Sequence, residues 1–186
     1  EFFMVRVGSL FDLSIMTPKE RDNKSGKIPS EQLEDIFKAV KPLIEYRDIV
    51  YSAIMEELRG YGIADTTYDE LTKSEKKFVE NYYKLFIAPI LSPQIIDISH
   101  PFPHLKNKAL YTAVLLKKGQ KELLGIIGVP ETAEPIIRIE GTGKYIRTEE
   151  VISSHIKDYF VGYKPECHSV ISVTRNADIS MDEEKF

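Results

Sequence analysis

The chain has 186 residues, with 25 lysines and arginines against 29 aspartates and glutamates, and hence a formal net charge of −4. A hydrophobic content of 42% and a charged content of 29% are typical of a globular protein with its own core. The acidic balance gives no general attraction for polyanions and argues against an RNA-binding domain. A single cysteine excludes an internal disulfide and predicts a reducing, cytoplasmic location. No apolar run reaches the roughly 20 residues that span a bilayer.

The first half of the chain is predicted to be helical. Apolar residues recur at helical spacing over residues 2–13 and again, along a longer stripe, over residues 33–58. The charged segment 17–29 between them carries proline and glycine, which predicts a loop. Pro42 lies inside the long stripe and is expected to kink or break the helix, and Gly60 is expected to end it.

A third helix is predicted to begin at a capping box. In the segment 72–75, read as TKSE, the threonine hydroxyl and the glutamate carboxylate can each accept a hydrogen bond from the other residue's backbone N–H. Apolar residues at helical spacing follow over residues 78–87, and Pro89 ends the pattern. The first 89 residues therefore predict an antiparallel helical hairpin or bundle.

The stretch after this helix is predicted to be a stiff joint between two domains. Prolines occupy positions 93, 101 and 103 of this stretch. Because a proline fixes the backbone angle φ and donates no hydrogen bond, they favour an irregular connector. We therefore place the domain boundary between residues 89 and 90. The chain both begins and ends within apparent elements, since the acidic run at 182–184 is typical of a helix start, and we expect it to be a fragment of a longer protein.

The second domain, residues 90–186, is predicted to be a small α+β unit with a mixed, mostly antiparallel sheet. Thr148 is expected to cap one helix that Gly162 ends. Alternating apolar residues predict strands at 110–116, 123–129, 136–139, 145–147 and 168–174. The first two strands are predicted to form a hairpin through residues 118–120. The complete chain is thus predicted to be α+β in fold class.

His100 and His104 are the first candidates for a chemical role. A histidine pair can bind a metal or accept a phosphoryl group. A zinc site would need further ligands at suitable spacing, and no such cysteine–histidine cluster is present in the sequence. We therefore favour a structural role in the joint, and predict no metal site and no catalytic residue in this chain.

One basic run stands out in this acidic chain. Five lysines and no carboxylate lie between Asp97 and Glu122, at positions 106, 108, 117, 118 and 121. The run could guide a polyanion, or it could be the solvated rim of a sheet, where lysines also discourage edge pairing. The second interpretation is favoured because charge runs usually form solvated surfaces.

Arg175 lies in the most motif-like element near the end of the chain, TRNAD at 174–178. Its guanidinium could bind phosphate through two hydrogen bonds, or pair with Asp178 or Asp182 at a turn, and we favour the ion pair. The segment 141–143, read as GTG, is too short for a phosphate-binding loop.

Three strings together resemble a known family. EFFMVRVGSL at the start, PILSPQIIDISHPFPHLKNKAL in the middle and FVGYKPECHSVISVTRNADISMDEE at the end resemble, in this order, segments of the long-form bacterial polyphosphate kinase that uses a phosphohistidine. The resemblance covers essentially the whole chain, as the N-terminal domain followed by the middle, or head, domain.

The resemblance implies a parent enzyme that uses ATP and Mg²⁺, reversibly transfers the terminal phosphoryl group of ATP to inorganic polyphosphate, and forms homo-oligomers. Its phosphorylated histidine belongs to C-terminal domains outside this sequence, so the fragment is expected to be inactive and to hold no nucleotide by itself. The family places the helix that carries Arg6 beside the nucleotide, whereas the residues alone favour an ion pair for Arg6. Lys106, Lys108 and Arg175 are candidates for the polyphosphate path. The alternative is a stand-alone protein-binding or regulatory module without catalysis; a nucleic-acid partner is not expected.

Overall fold

The computed structural model describes residues 1–97 and 102–176, which divide into two compact units. Of the described residues, 1–54 and 174–176 form the helical unit, and 55–97 and 102–173 form the sheet unit. His100 and the acidic residues 178 and 182–184, which the sequence analysis discussed, lie outside the described residues. None of the helices in the described part of the chain is long and apolar enough to cross a membrane.

Two helices account for most of the helical unit. Helix α1 (Gly8–Met16) follows a π-helical turn over Phe3–Val7, in agreement with the predicted first helix. Helix α2 (Pro29–Gly60) is 32 residues long and continues through Pro42, so the predicted break is absent, whereas its end at Gly60 is confirmed. Between the helices the chain makes a closed turn, in which Asp22 N–H donates to the Lys27 carbonyl at 3.0 Å.

In the described residues of the sheet unit, seven strands combine with three helices that follow α2. Its strands are β1 (Ala64–Asp65), β2 (Pro93–Ile96), β3 (Leu110–Lys118), β4 (Lys121–Gly128), β5 (Ile136–Arg138), β6 (Lys144–Arg147) and β7 (Lys164–Ser172). Its helices are α3 (Lys73–Tyr82), α4 (Thr148–Ser154) and α5 (Ile156–Tyr159). A π-helical turn over Tyr83–Ile87 and a 3₁₀ turn over Ala88–Ile90 extend α3.

The strands form two sheets with mostly antiparallel pairing. The larger sheet has the order β2-β4-β3-β7 and is antiparallel throughout. The smaller sheet has the order β1-β6-β5, in which β1 and β6 are parallel and β5 and β6 antiparallel. The predicted α+β class with a mixed, mostly antiparallel sheet is therefore confirmed.

The predicted capping box is present at the start of α3. The Glu75 N–H donates to the Thr72 hydroxyl at 3.4 Å, and the Thr72 N–H donates to the Glu75 carboxylate at 2.8 Å. These bonds satisfy backbone donors that have no partner within the helix, and the carboxylate also favours the positive N-terminal end of the helix dipole. The backbone bond lowers the pKa of Glu75, and Lys144 contributes in the same direction.

Helix α3 and its extension share one core with the strands. Val79, Tyr83 and Ile87, all almost fully buried, belong to a single apolar cluster that also contains Val114, Leu116, Ile127, Ile137, Ile139, Ile146, Val151, Ile152, Ile156 and Phe160. Helix α3 precedes residue 90 and yet belongs to the same compact unit as the strands that follow it. The extents of the two domains as functional units stay a prediction.

Two further local predictions, besides the break at Pro42, were wrong. Residues 93–96 form strand β2, not part of an irregular connector; Pro93 is tolerated because it is the first residue of an edge strand. Thr148 does not cap its helix: it is the first helical residue, and its hydroxyl donates to the carbonyl of Glu134. The sequence signal at Thr148 was that of a cap, but the hydroxyl serves a long-range tertiary contact.

Candidate functional site

Arg6 lies in the first helical turn of the helical unit. Its guanidinium donates to the side-chain carbonyl of Gln32 at 3.1 Å, and both side chains line an open cleft of about 220 Å³. Asp22 lines the same cleft; hydrogen bonds from Ser25 lower its pKa, with a smaller contribution from the positive charge of Arg6. Arg6 is thus held by an amide and lies near a carboxylate, and its predicted nucleotide contact stays a prediction.

The two lysines predicted for a polyphosphate path lie before β3 in the sheet unit. Lys106 pairs with Glu131 through an Nζ–Oε1 distance of 2.7 Å. Lys108 has a positive φ of 60°, and its N–H donates to the Val173 carbonyl at 2.9 Å. Lys106 is therefore partly neutralised, and Lys108 shapes the turn into β3.

Arg175 belongs to the helical unit and is half-buried there. The neighbouring Asn176 donates from its side chain to the Asp12 carboxylate at 2.7 Å and packs against Gly8. The segment predicted as a turn is therefore attached to helix α1 through its asparagine. Arg175 and the two lysines belong to different units, and a shared polyphosphate path through them stays a prediction.

His104 is exposed, and its predicted partner in the joint, His100, lies outside the described residues. Within residues 1–97 and 102–176, no group of three or more histidine, cysteine, aspartate or glutamate side chains is placed to hold a metal ion.

Four lysines converge at one end of the larger sheet, which we call the lysine end: Lys117, Lys118, Lys121 and Lys164. The register of β3 with β7 places Lys117 directly opposite Lys164, and the β3–β4 hairpin places Lys118 opposite Lys121. Gly119 adopts the positive φ of 62° that this tight hairpin requires. The sequence showed three of these lysines in one run, but Lys164 joins them only through strand pairing.

A buried polar network is the feature that sequence reasoning missed. His155 is 7% exposed, its ring stacks on Tyr83 at a centroid distance of 3.8 Å, and its Nε2 lies 2.9 Å from the Glu80 carboxylate. The Tyr68 hydroxyl donates to the same carboxylate, and the hydroxyls of Tyr83 and Tyr159 hydrogen-bond to each other. These contacts join α3 to the α4–α5 segment.

The electrostatics of this network follow from burial and pairing. Burial raises the pKa of Tyr68 to about 12, with a further contribution from Glu80, and burial also raises the pKa of Tyr83 and of Tyr159. The Tyr68 hydrogen bond lowers the pKa of Glu80, and His155 acts in the same direction. The only sequence signal was the helical spacing of Glu80 and Tyr83, because Tyr68 lies outside that helix and His155 and Tyr159 are more than 70 residues away.

Comparison with known proteins accounts for the whole chain. The family model described as the polyphosphate kinase N-terminal domain matches residues 1–66, and that of the polyphosphate kinase middle domain matches residues 74–186. Polyphosphate kinases of Halalkalibacterium halodurans and Bacillus cereus are 36% and 37% identical to this chain over 99% of its length. That of Synechocystis is 31% identical over 100% of the chain.

The fold has a solved counterpart. The crystal structure of polyphosphate kinase from Porphyromonas gingivalis matches 78% of this chain with a TM-score of 0.69 at 23% identity. The α+β fold of this chain thus corresponds to that of a part of the solved protein, of which it covers 26%. The chain belongs to the polyphosphate kinase family, whose enzymes are ATP:polyphosphate phosphotransferases. It spans 27% of the length of the Halalkalibacterium relative and 28% of the Bacillus cereus relative, and so corresponds to a part of them.

Proposed function

We propose that this chain is the N-terminal and head-domain scaffold of an enzyme that reversibly transfers the terminal phosphoryl group of ATP to inorganic polyphosphate. The observation that carries the proposal is the ordered match of residues 1–66 and 74–186 to the models of the two polyphosphate kinase domains, together with the similarity to relatives named polyphosphate kinases. In the complete enzyme, ATP, Mg²⁺ and polyphosphate are the substrates and cofactor, and the enzyme works as a cytoplasmic homo-oligomer.

The chain is proposed to be inactive by itself. Phosphoryl transfer needs cationic groups and metal ions around the transferred group, and a phosphohistidine route also needs a nucleophilic imidazole. Among the described residues, His155 is the buried histidine, and both of its ring nitrogens are engaged: Nδ1 with the Val151 carbonyl at 2.8 Å and Nε2 with Glu80. It is therefore a structural group, not a phosphoryl acceptor.

The substrate-contacting residues of the scaffold are proposed from the resemblance of this chain's segments, in the same order, to those of the family. Arg6 contributes to the nucleotide side, where the cleft that it shares with Gln32 is open to solvent. Lys106, Lys108 and Arg175 contribute to the polyphosphate path. To contact a nucleotide, the Arg6 guanidinium needs only to replace its hydrogen bond to the Gln32 amide with one to a ligand oxygen.

The test compares the isolated chain with the product of the complete reading frame that contains it. Each protein is incubated with γ-labelled ATP, Mg²⁺ and a polyphosphate primer, and label incorporated into acid-insoluble polymer is measured. We expect incorporation by the complete product and none by the isolated chain. Transfer by the isolated chain would refute its inactivity, and a complete product without transfer would refute the proposed function.

A second candidate, a protein-binding module without catalysis, is favoured by one observation. Helix α2 exposes large apolar side chains that neither helix α1 nor the loop covers, including Leu43 at 63% and Ile49 at 66% exposure. Such a face needs a protein partner, either the rest of the enzyme or another molecule. A reading frame that stops after Phe186 and a product without transfer would favour this alternative.

A further inference from the structure

The lysine end of the sheet carries an unusual charge arrangement. Lys117 lies directly opposite Lys164, and Lys118 lies directly opposite Lys121. Like charges in directly opposed positions of an antiparallel pair destabilise the sheet. Two such pairs at one end of the same sheet therefore need a reason that strand pairing alone does not supply.

Protection of sheet edges, the usual role of lysines in strands, explains only part of the arrangement. Edge protection places charges on the outer strands, which are β2 and β7 in the order β2-β4-β3-β7. Lys164, on β7, is placed where a lysine blocks an edge, and Lys118 and Lys121 lie at the hairpin tip, beyond the last paired residues of β7 and β2. Lys117 lies instead on the central strand β3, between Glu122 of β4 and Lys164 of β7, where edge protection does not account for a lysine opposite a lysine.

Carboxylates neutralise only half of this charge. Lys117 pairs with Glu122 at 3.5 Å, and Lys164 pairs with Glu166 at 2.8 Å. Lys164 lowers the pKa of Glu166, and Lys117 contributes further.

The other opposed pair keeps its positive charge. The ammonium of Lys118 lies 4.8 Å from the centre of the Tyr163 ring, which attracts a cation but does not neutralise it. Within the described residues, neither Lys118 nor Lys121 makes an ion pair with a carboxylate. The lysine end thus has an excess positive charge in a chain whose net charge is −4.

The geometry favours a flexible, linear ligand over a compact one. Because directly opposed residues share a face and successive residues alternate, Lys117 and Lys164 project from one face of the sheet and Lys118 and Lys121 from the other. A small anion can reach one pair only, whereas a flexible polyanion can wrap the hairpin tip and contact both. Ammonium groups on long stems suit such a ligand, since they act as mobile point charges.

We propose that the lysine end is a binding site for inorganic polyphosphate, separate from the path through Lys106, Lys108 and Arg175. This inference rests on the proposed function for its choice of polyanion. The site holds the polymer electrostatically and performs no chemistry on it.

The experiment measures binding of end-labelled long-chain polyphosphate to the 186-residue chain by fluorescence anisotropy, at about 50 and 200 mM salt. Four ammonium contacts, each with a salt slope of about −0.7 as for single-stranded polyanions, give about a 50-fold loss of affinity between the two salt concentrations. In Lys118→Gln/Lys121→Gln two contacts remain, so the loss falls to about sevenfold and binding at low salt is weaker. The matched control is Lys38→Gln/Lys41→Gln, which changes the net charge equally on exposed positions of helix α2 and is expected to bind like the unchanged chain.

Three outcomes would overturn the inference. They are equal loss of affinity in the two double variants, tripolyphosphate binding as tightly as the long polymer, and single-stranded DNA of equal charge binding as tightly as polyphosphate. Because the readout is binding by this chain, it does not depend on transfer by the complete enzyme. The inference can therefore fail while the proposed function holds, and the proposed function can fail while this site still binds polyphosphate.

Discussion

Gly125 offers the sharpest test of the packing in the sheet unit. It lies on the central strand β4, and a Cβ atom built there would be 2.7 Å from Cζ of Phe160 and 2.8 Å from Cδ1 of Leu116. Carbon atoms pack at about 3.5–4.0 Å, so both side chains would have to retreat by about 0.7 Å or more. Neither has room, because Phe160 is 2% exposed and Leu116 is 0% exposed.

Gly125→Ala is therefore expected to cost about 1–3 kcal/mol, the usual range for overpacking a core. For a chain of this size, 1 kcal/mol corresponds to about 2–4 °C in Tm, so the expected decrease is about 2–12 °C. The assay is urea unfolding followed by far-UV circular dichroism, with a thermal scan as a second measurement.

The matched control is the same substitution at Gly60, which ends helix α2. A Cβ atom there meets no atom within 4 Å, and its backbone needs no positive φ. Gly60→Ala is expected to be neutral or to stabilise by up to about 1 kcal/mol. If Gly125→Ala unfolded at the same urea concentration as the unchanged chain, the described packing of Phe160 against β4 would be incorrect.

Three further predictions concern other contacts of the sheet unit. Gly143→Ala should lower the free energy of unfolding, measured in urea, by about 2–4 kcal/mol, since the added Cβ would collide with the backbone carbonyl of Gly62 and separate β1 from β6. A smaller cost than that of Gly125→Ala would contradict this pairing. Thr72→Ala should cost about 1 kcal/mol by removing the helix cap, and Thr72→Ser, which keeps the hydroxyl, should cost less. The Tyr68 hydrogen bond lowers the pKa of Glu80, so Glu80 contributes stability above its unfolded pKa that is lost as pH falls through the lower folded value. Glu80→Gln should therefore be least stable relative to the unchanged chain above about pH 5, and the difference should shrink in acid; a difference independent of pH would exclude a charged Glu80.

The sequence was most informative where the determining contacts are local. The capping box at Thr72, the end of helix α2 at Gly60 and the hairpin at Gly119 each depend on residues within a few positions, and all three were predicted correctly. Pro42 shows the limit of such rules: a proline inside a helix usually interrupts it, yet α2 continues through it.

Features that depend on distant partners were missed for a physical reason. The prolines after Ile90 indicated an irregular connector, but pairing of β2 with β4, some 30 residues away, makes Pro93 the start of an edge strand. The network around His155 draws Glu80 and Tyr68 from more than 70 residues earlier in the chain, so no local pattern could show it.

The candidate site follows the same division. Its hairpin lysines were visible as a basic run, and the sequence favoured a solvated rim for them. Their arrangement as two opposed pairs, with Lys164 contributed by β7, depends on strand register alone. Sequence reasoning therefore found the charges but not the geometry that makes them a candidate site.

The shared core has a practical consequence for dissecting the protein. Val79, Tyr83 and Ile87 precede Pro89 yet fill the same interior as the strands that follow it. A truncated protein that starts at residue 90 would expose the core-facing apolar side chains of the strands to solvent. We expect it to self-associate through this exposed apolar surface. Isolating a well-behaved head fragment for crystallisation or titration therefore requires a start upstream of the α3 cap.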